Sequence, residues 1–269
     1  MKKIISCIIA LIAPLALAAH AAAEQSVIDD ITDRGKLRVG LSSFVPWAMR
    51  DKDGAFVGFE PDVAAKLAED MGVELEIVPT AWDGIIPSLL AGKFDLIVSG
   101  MSVKPARNLQ VNFTIPYQRH GMDLFASKQI ASGMSSLEDF NKPEIVFALR
   151  RGSTPVEFVQ KHLPKAQIRQ FDDEATARLD VVNGRSHAMA AMSPQPAHSV
   201  ADFPDKLYRP LAGKTLTREP AAMALRKGDP DALNFLNNWI TLHTENGWLQ
   251  SRYNYWFGTR DWASLIADK

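Results

Sequence analysis

The chain of 269 residues carries 30 lysines and arginines against 31 aspartates and glutamates, a formal net charge of −1. That balance leaves no basic excess to drive nucleic-acid binding. The single cysteine, Cys7, falls in an N-terminal apolar segment, so the rest of the chain has no disulfide framework, thiolate zinc site or thiol nucleophile.

Lys2 and Lys3 precede an apolar segment from Ile4 to Ala19, and Ala21-Ala22-Ala23 before Glu24 fits a cleavage site. Residues 1–23 therefore read as a signal peptide, the apolar part being too short for a membrane span. The expectation is an exported, soluble protein, long enough after cleavage for two lobes of ordinary domain size.

A short leader helix is expected around Ile28 to Asp33, followed by a strand over Lys36–Leu41. Asp51-Lys52-Asp53-Gly54 reads as a hairpin tip. Gly58 leads into a helix with Pro61 at its first position, Val63, Leu67 and Met71 on one face, and Gly72 at its end. Val73 to Val78 alternates apolar and acidic residues as a strand with one wet face. Trp82 to Arg107 then reads as helix, buried strand and polar turn. Asp83 is expected to cap the helix, Ile85, Ile86, Leu89 and Leu90 to supply its apolar face, and Gly92 to stop it. Phe94 to Val98 is the strand, and Ser99, Gly100 and Ser102 stand at its carboxyl end, where open α/β sheets meet ligands. Arg107 follows, with a guanidinium fork that matches a carboxylate.

Extended segments are expected at Phe113–Tyr117 and Gly121–Ala126. The alternation restarts with a strand at Ile145–Leu149, a helix at Pro155–His162, a strand at Gln167–Phe171, a helix at Glu174–Val182 and a strand at His187–Met192. A strand at Ala221–Leu225, a turn at Lys227-Gly228-Asp229 and a helix from Asp231 to Thr244 complete the pattern. The aromatic ending, Tyr253 to Phe257, is expected to pack on the first lobe.

Gly152-Ser153-Thr154-Pro155 lies between a strand and a helix, where free N–H groups and the positive helix end suit an anion. Thr154 with Glu157 also fits a capping box. Trp47 reads as core, and Asp62, Glu69 and Asp70 as an exposed helix face. His120, His162, His187, His198 and His243 lack metal-ligand spacing and read as structural.

The segments GFEPDVAAKLAEDMG, AWDGIIPSLLAGKFDLIVSGMSVKPAR, VNFTIPY, RRGST, VVNGR, EPAAMALRKGDPDALNFLNNWI and NYWFG together resemble the bacterial extracellular solute-binding proteins of the polar amino-acid type, periplasmic receptors of ABC importers. The resemblance implies an α/β, two-lobed type II periplasmic-binding-protein fold, with two open lobes joined by two hinge strands and closing on ligand. It implies a first lobe of residues 24–119 and 218–269 and a second of residues 120–217, with crossings near Arg119–Leu124 and Leu211–Arg218. It further implies a periplasmic monomer, a membrane permease as partner, no cofactor and no metal.

Carried onto this sequence, Arg107 looks like the arginine that grips a ligand α-carboxylate. The Ser102 hydroxyl and the Gly100 carbonyl look like contacts to the carboxylate and the α-amino group. Phe44 and Trp82 resemble an aromatic pair around the ligand side chain, and Thr154 a second-lobe contact to the carboxylate. The family usually has an aspartate where this chain has Met192, and often an earlier one where it has His187. Ser42 and Ser43 fill the first loop, and Arg151 stands beside the second-lobe anion site. The cleft thus reads as rich in cations and poor in acids, with Glu219 as the alternative source of negative charge. A carboxylate-bearing ligand is expected, since a desolvated ammonium without an acid costs several kcal/mol.

Two other functions compete. The secreted cyclohexadienyl dehydratases, acting on prephenate or arogenate, look like members of the same superfamily, with Glu219 as the general acid. A periplasmic sensor is the third, disfavoured by the lack of a signalling segment after Lys269.

Overall fold

The computed structural model describes residues 25–212 and 214–266. The expected signal peptide lies outside the described residues. Helix α1 (Val27–Arg34) leads into β1 (Lys36–Leu41), a hairpin of β2 (Met49–Arg50) and β3 (Phe56–Val57), α2 (Phe59–Met71), β4 (Glu74–Pro79), α3 (Ile85–Leu90), β5 (Leu96–Ile97), α4 (Pro105–Asn108) and β6 (Asn112–Phe113). A crossing strand, β7 (Gln118–His120), precedes β8 (Met122–Ser127), β9 (Val146–Arg150), α5 (Thr154–His162), β10 (Gln167–Phe171), α6 (Glu174–Val182), β11 (Ala188–Met192), α7 (Gln195–Asp202) and β12 (Leu207–Tyr208). The chain returns through β13 (Glu219–Ala221) and β14 (Ala224–Leu225) to α8 (Pro230–Glu245) and α9 (Trp248–Tyr253).

These strands build two five-stranded sheets, ordered β4-β1-β5-β14-β6 and β10-β9-β11-β8-β12. In each, parallel pairs (β1 with β4 and β5; β9 with β10 and β11) adjoin an antiparallel return strand, β14 or β8. Each sheet is the centre of one lobe. The outgoing β7 and returning β13 pair antiparallel, His120 opposite Glu219 and Gln118 opposite Ala221. Leu37, Val39, Phe59, Leu67, Trp239 and Trp256 belong to the first lobe's core, and Leu124, Phe125, Phe147 and Leu149 to the second's. The aromatic ending closes the first core as expected, while Phe257 touches both.

Several local expectations change. Pro61 is the third residue of α2, and Leu90 is exposed. Asp83 caps nothing: a 3-10 turn at Trp82–Gly84 precedes α3, and neither carries a side-chain cap. The strand expected over residues 94–98 shortens to β5, and that over 221–225 divides into β13 and β14. Asp95, the polar break in the first of these, is 1% exposed and binds Arg34 at 2.5 Å and Arg38 at 2.7 Å, tying α1 and β1 together. Asp62 and Asp70 are not merely a solvated face: they accept the indole N–H groups of Trp256 and Trp239. Helix α7 was not expected; the residues it buries are Gln195, Pro196 and Ser199 rather than large apolar side chains.

One buried acid organises the approach to the space between the lobes. Glu60, in the first turn of α2, is fully buried; its oxygens accept the Tyr117 hydroxyl at 2.5 Å and the Gln118 amide at 2.6 Å. Burial pushes its pKa up to about 8, against the pull of these donors and the Gly100 backbone. Because the folded-state value lies above the unfolded one, the protonated form stabilises the fold, and that contribution fades as pH rises from 4.5 to 8. The span corresponds to about 5 kcal/mol. In urea unfolding, the stability difference between wild type and Glu60→Gln should fall by about 3–4 kcal/mol between pH 5 and pH 8, a comparison that cancels the opposite contribution of His120.

Candidate functional site

The carboxyl ends of β5 and β9 face each other across the gap between the sheets. On the first-lobe side stand Ser99, Gly100 and Ser102, with Phe44, Trp82 and His120 beside them. Gly100 has φ +60°, and a Cβ there would lie 2.8 Å from the Trp47 indole, so the turn requires glycine. Trp47 is core, as expected. It stacks on Phe44 at 4.2 Å with the rings 2° from parallel, and its indole donates to Gln118 Oε1 at 3.1 Å. On the second-lobe side are Arg150 from the end of β9, Ser153, Thr154 and Pro155 at the start of α5, Glu174 from α6 and Met192 from the end of β11.

The lobes are closed on one another. The Gly152 carbonyl accepts the Trp82 indole at 3.1 Å and Arg107 Nη2 at 3.3 Å, while Arg107 Nη1 binds the Ser102 carbonyl at 3.0 Å. Thr154 Oγ1 approaches Ser102 Oγ at 3.5 Å, and Arg150 Nη1 the Ser43 carbonyl at 3.4 Å. The cavity that these residues line is only about 20 Å³, room for about one water, and Phe44 and Glu174 separate it from a larger space of about 400 Å³ that runs past Arg178, Gln195 and Trp262.

The expected capping box at α5 does not form. The N-cap is Ser153, whose side chain makes no cap bond and whose buried Oγ has no partner among the described residues. Glu157 instead faces Lys104 at 3.8 Å. The positive end of a nine-residue helix and a free hydroxyl thus meet the cavity, an arrangement suited to an anion.

The arginines sort differently from expectation. Arg107 is buried, but its fork is taken up by two carbonyls and it does not line the cavity; desolvation lowers its pKa, with Glu157 and Glu219 pulling it up. Arg151 is half exposed and turns away toward Asp172 at 3.4 Å and Asp83 at 3.8 Å. Its neighbour Arg150 occupies the cavity wall, because adjacent side chains on an extended segment point to opposite sides. The Arg150 guanidinium lies over both Trp82 (4.5 Å) and Phe44 (5.1 Å). Its Nε is 3.3 Å from Glu174 Oε2, an ion pair too misaligned to count as a hydrogen bond. Burial pushes the Arg150 pKa down and the Glu174 pKa up, each opposed by the other's charge.

Met192 lines the cavity as expected and brings no charge, yet the cleft does hold an acid, Glu174. Glu219 is not on the wall; its Oε1 lies 3.5 Å from Lys104, and its buried Oε2 has no partner among the described residues. His120, read from the sequence as structural, lines the cavity. Its Nε2 is 3.0 Å from Ser102 Oγ, and burial lowers its pKa to about 4, leaving the ring neutral at pH 7. His187 is structural, accepting the Val146 N–H. Among the described residues no cluster of three or more His, Cys, Asp or Glu could hold a metal. Glu174, the first residue of a helix capped by Asp173, carries no local signal in the sequence, since only the packing of α6 against β9 brings it to Arg150.

Comparison with known proteins places this geometry in context. The family model for bacterial extracellular solute-binding proteins, family 3, matches residues 37–259. The L-cystine-binding protein TcyJ of Escherichia coli is 27% identical over 237 residues, 88% of each chain. A cyclohexadienyl dehydratase of Pseudomonas aeruginosa is 27% identical over 267 residues, 97% of each. Among solved structures, the ancestral amino acid-binding protein AncCDT-1, described as a precursor of cyclohexadienyl dehydratase, is 40% identical with a TM-score of 0.79, covering 87% of this chain and 100% of that one. A putative ABC-transporter binding component from Wolinella succinogenes, complexed with lysine, is 37% identical with a TM-score of 0.78, covering 86% and 99%.

The clasp on Gly152 generates a test. Trp82→Phe keeps an aromatic face and removes one hydrogen bond between the lobes, worth about 1 kcal/mol. The open-to-closed ratio should rise about fivefold, read by small-angle scattering as a larger mean radius of gyration.

Proposed function

The chain belongs to the bacterial extracellular solute-binding proteins, family 3, and from that premise we propose that it is the periplasmic receptor of an ABC importer, taking a polar amino acid or related small carboxylate between its lobes for a membrane permease. The observation that carries this reading is the uncapped start of α5, whose Ser153 hydroxyl and helix N-terminus face Ser102 and Gly100 across the cavity. These groups suit a carboxylate, with Arg107 able to exchange the Gly152 carbonyl for a ligand oxygen and gain a charge-assisted bond. Binding requires no chemistry, only higher affinity for the closed state. Among the described residues no helix is long and apolar enough to cross a membrane.

A thermal-shift screen against amino acids, opines and mono- and dicarboxylates should give a hit, since a ligand at a hundred times its Kd adds about 2.7 kcal/mol of stability. In Ser153→Ala the unliganded stability should be unchanged, because that hydroxyl has no partner to lose, while the Kd of the hit rises about five- to tenfold. Equal affinity in the variant removes the α5 anion site from the reading.

A second reading has a specific observation behind it. Glu174 is a buried acid on the cavity wall whose pKa is raised by desolvation, and such a group can act as a general acid. Together with the dehydratase relative, this moves the candidate acid of an enzyme from Glu219 to Glu174. Arg150 opposes the reading by favouring the carboxylate form. Turnover of prephenate or arogenate that disappears in Glu174→Gln establishes the enzyme; no turnover in wild type leaves the receptor.

A further inference from the structure

A guanidinium flanked by aromatic rings and a carboxylate is what a receptor for a cationic side chain would display with its ligand bound. Here all the parts come from the chain itself. Arg150 lies 4.5 Å from the Trp82 ring and 5.1 Å from the Phe44 ring, its Nε is 3.3 Å from Glu174, and its Nη1 reaches the Ser43 carbonyl. The neighbouring Trp47 is stacked against Phe44, which fixes the Phe44 ring where the guanidinium meets it. Arg150 is 6% exposed and Glu174 11% by side chain, so the pair is desolvated and each charge needs the other.

We propose that Arg150 is a tethered occupant of a cation-binding cage formed by Phe44, Trp82 and Glu174, and that it sets the specificity of the cleft by excluding cationic ligands. The inference rests on the proposed reading of the cleft as an amino-acid or small-acid site and narrows its ligand class. A lysine or arginine ligand must expel Arg150 or share its cage at like-charge cost, whereas a neutral or acidic side chain meets a guanidinium already in place. The solved structure complexed with lysine, 37% identical to this chain, shows that a close fold accommodates a cationic ligand.

The experiment is thermal-shift and calorimetric titration of wild type and Arg150→Ala with L-arginine, L-lysine and methylguanidinium chloride at millimolar concentration. The expected result is no response in wild type, a response to arginine and methylguanidinium in Arg150→Ala with affinity at least tenfold above wild type, and loss of that gain in Arg150→Ala/Glu174→Gln. If Arg150→Ala folds only with methylguanidinium present, that rescue supports the proposal equally. Arg150→Gln keeps the stem and removes the charge, and in it lysine must also gain affinity. Wild type binding arginine or lysine as tightly as the variants overturns the proposal, as does either folded variant gaining none of these ligands. Methylguanidinium has no carboxylate and needs only the cage. Its response is therefore separate from the screen of amino acids and acids, whose failure in wild type would remove the proposed ligand class instead.

Discussion

Glu60 is the point on which the cleft's geometry depends. A fully buried carboxyl costs free energy unless its oxygens are occupied, and this one takes the Tyr117 hydroxyl and the Gln118 amide from the crossing segment, with the Gly100 backbone from the turn after β5. Gln118 passes the constraint on, since its other amide atom accepts the Trp47 indole, and Trp47 supports Phe44. One side chain on α2 thereby fixes three things that meet the ligand space: the small-residue turn, the crossing strand and the aromatic wall. Gly100 must be bare at that point because Trp47 occupies the position of a Cβ.

Closure rests on different chemistry. One carbonyl, Gly152, is shared by Trp82 and Arg107, and Arg260 pairs with Asp202 at 2.7 Å, so hydrogen bonds and an ion pair join the lobes beside the apolar contact of Phe44, Trp47 and Phe257 with the second core. Such a contact is modest in energy and reversible, which a receptor that must release its ligand requires. It also gives a ligand carboxylate something to compete for. An anion at a buried guanidinium makes a stronger bond than a neutral carbonyl, and one that also meets the α5 N-terminus would join the lobes in place of the displaced clasp.

Much of the architecture was legible in the sequence because its punctuation is local. The strand Lys36–Leu41, the strand Gln167–Phe171 and the helix Glu174–Val182 fall where apolar periodicity, caps and glycines put them. The candidate cavity was legible where motif residues carry a resemblance, as with Phe44, Trp82, Gly100, Ser102 and Thr154, and the fold brings these together with Met192, where the chain departs from the family's pattern. It was not legible where one residue of strand phase decides, as between Arg150 and Arg151, or where a partner comes from distant chain. Glu174 carries no pattern of its own, and His120 shows its role only once β7 sets it beside Ser102. Asp83 looked like a cap because capping is local, but the 3-10 turn at Trp82 removes the helix start that it would serve.

The charges around the cavity constrain what can fill it. Arg150 and Glu174 neutralise each other, and His120 is held neutral by burial. Arg107 has no carboxylate within ion-pair distance among the described residues, so it stands as a buried positive charge met by two carbonyl dipoles, the Trp82 ring at 5.4 Å and the more distant Glu157 and Glu219. The α5 N-terminus adds to the positive side. A ligand with a carboxylate compensates both, while an α-ammonium finds hydroxyls, a carbonyl and a neutral imidazole rather than an unpaired acid. On the proposed reading these charges favour a ligand of zero or negative net charge, because each added positive charge on it works against the buried Arg107 guanidinium.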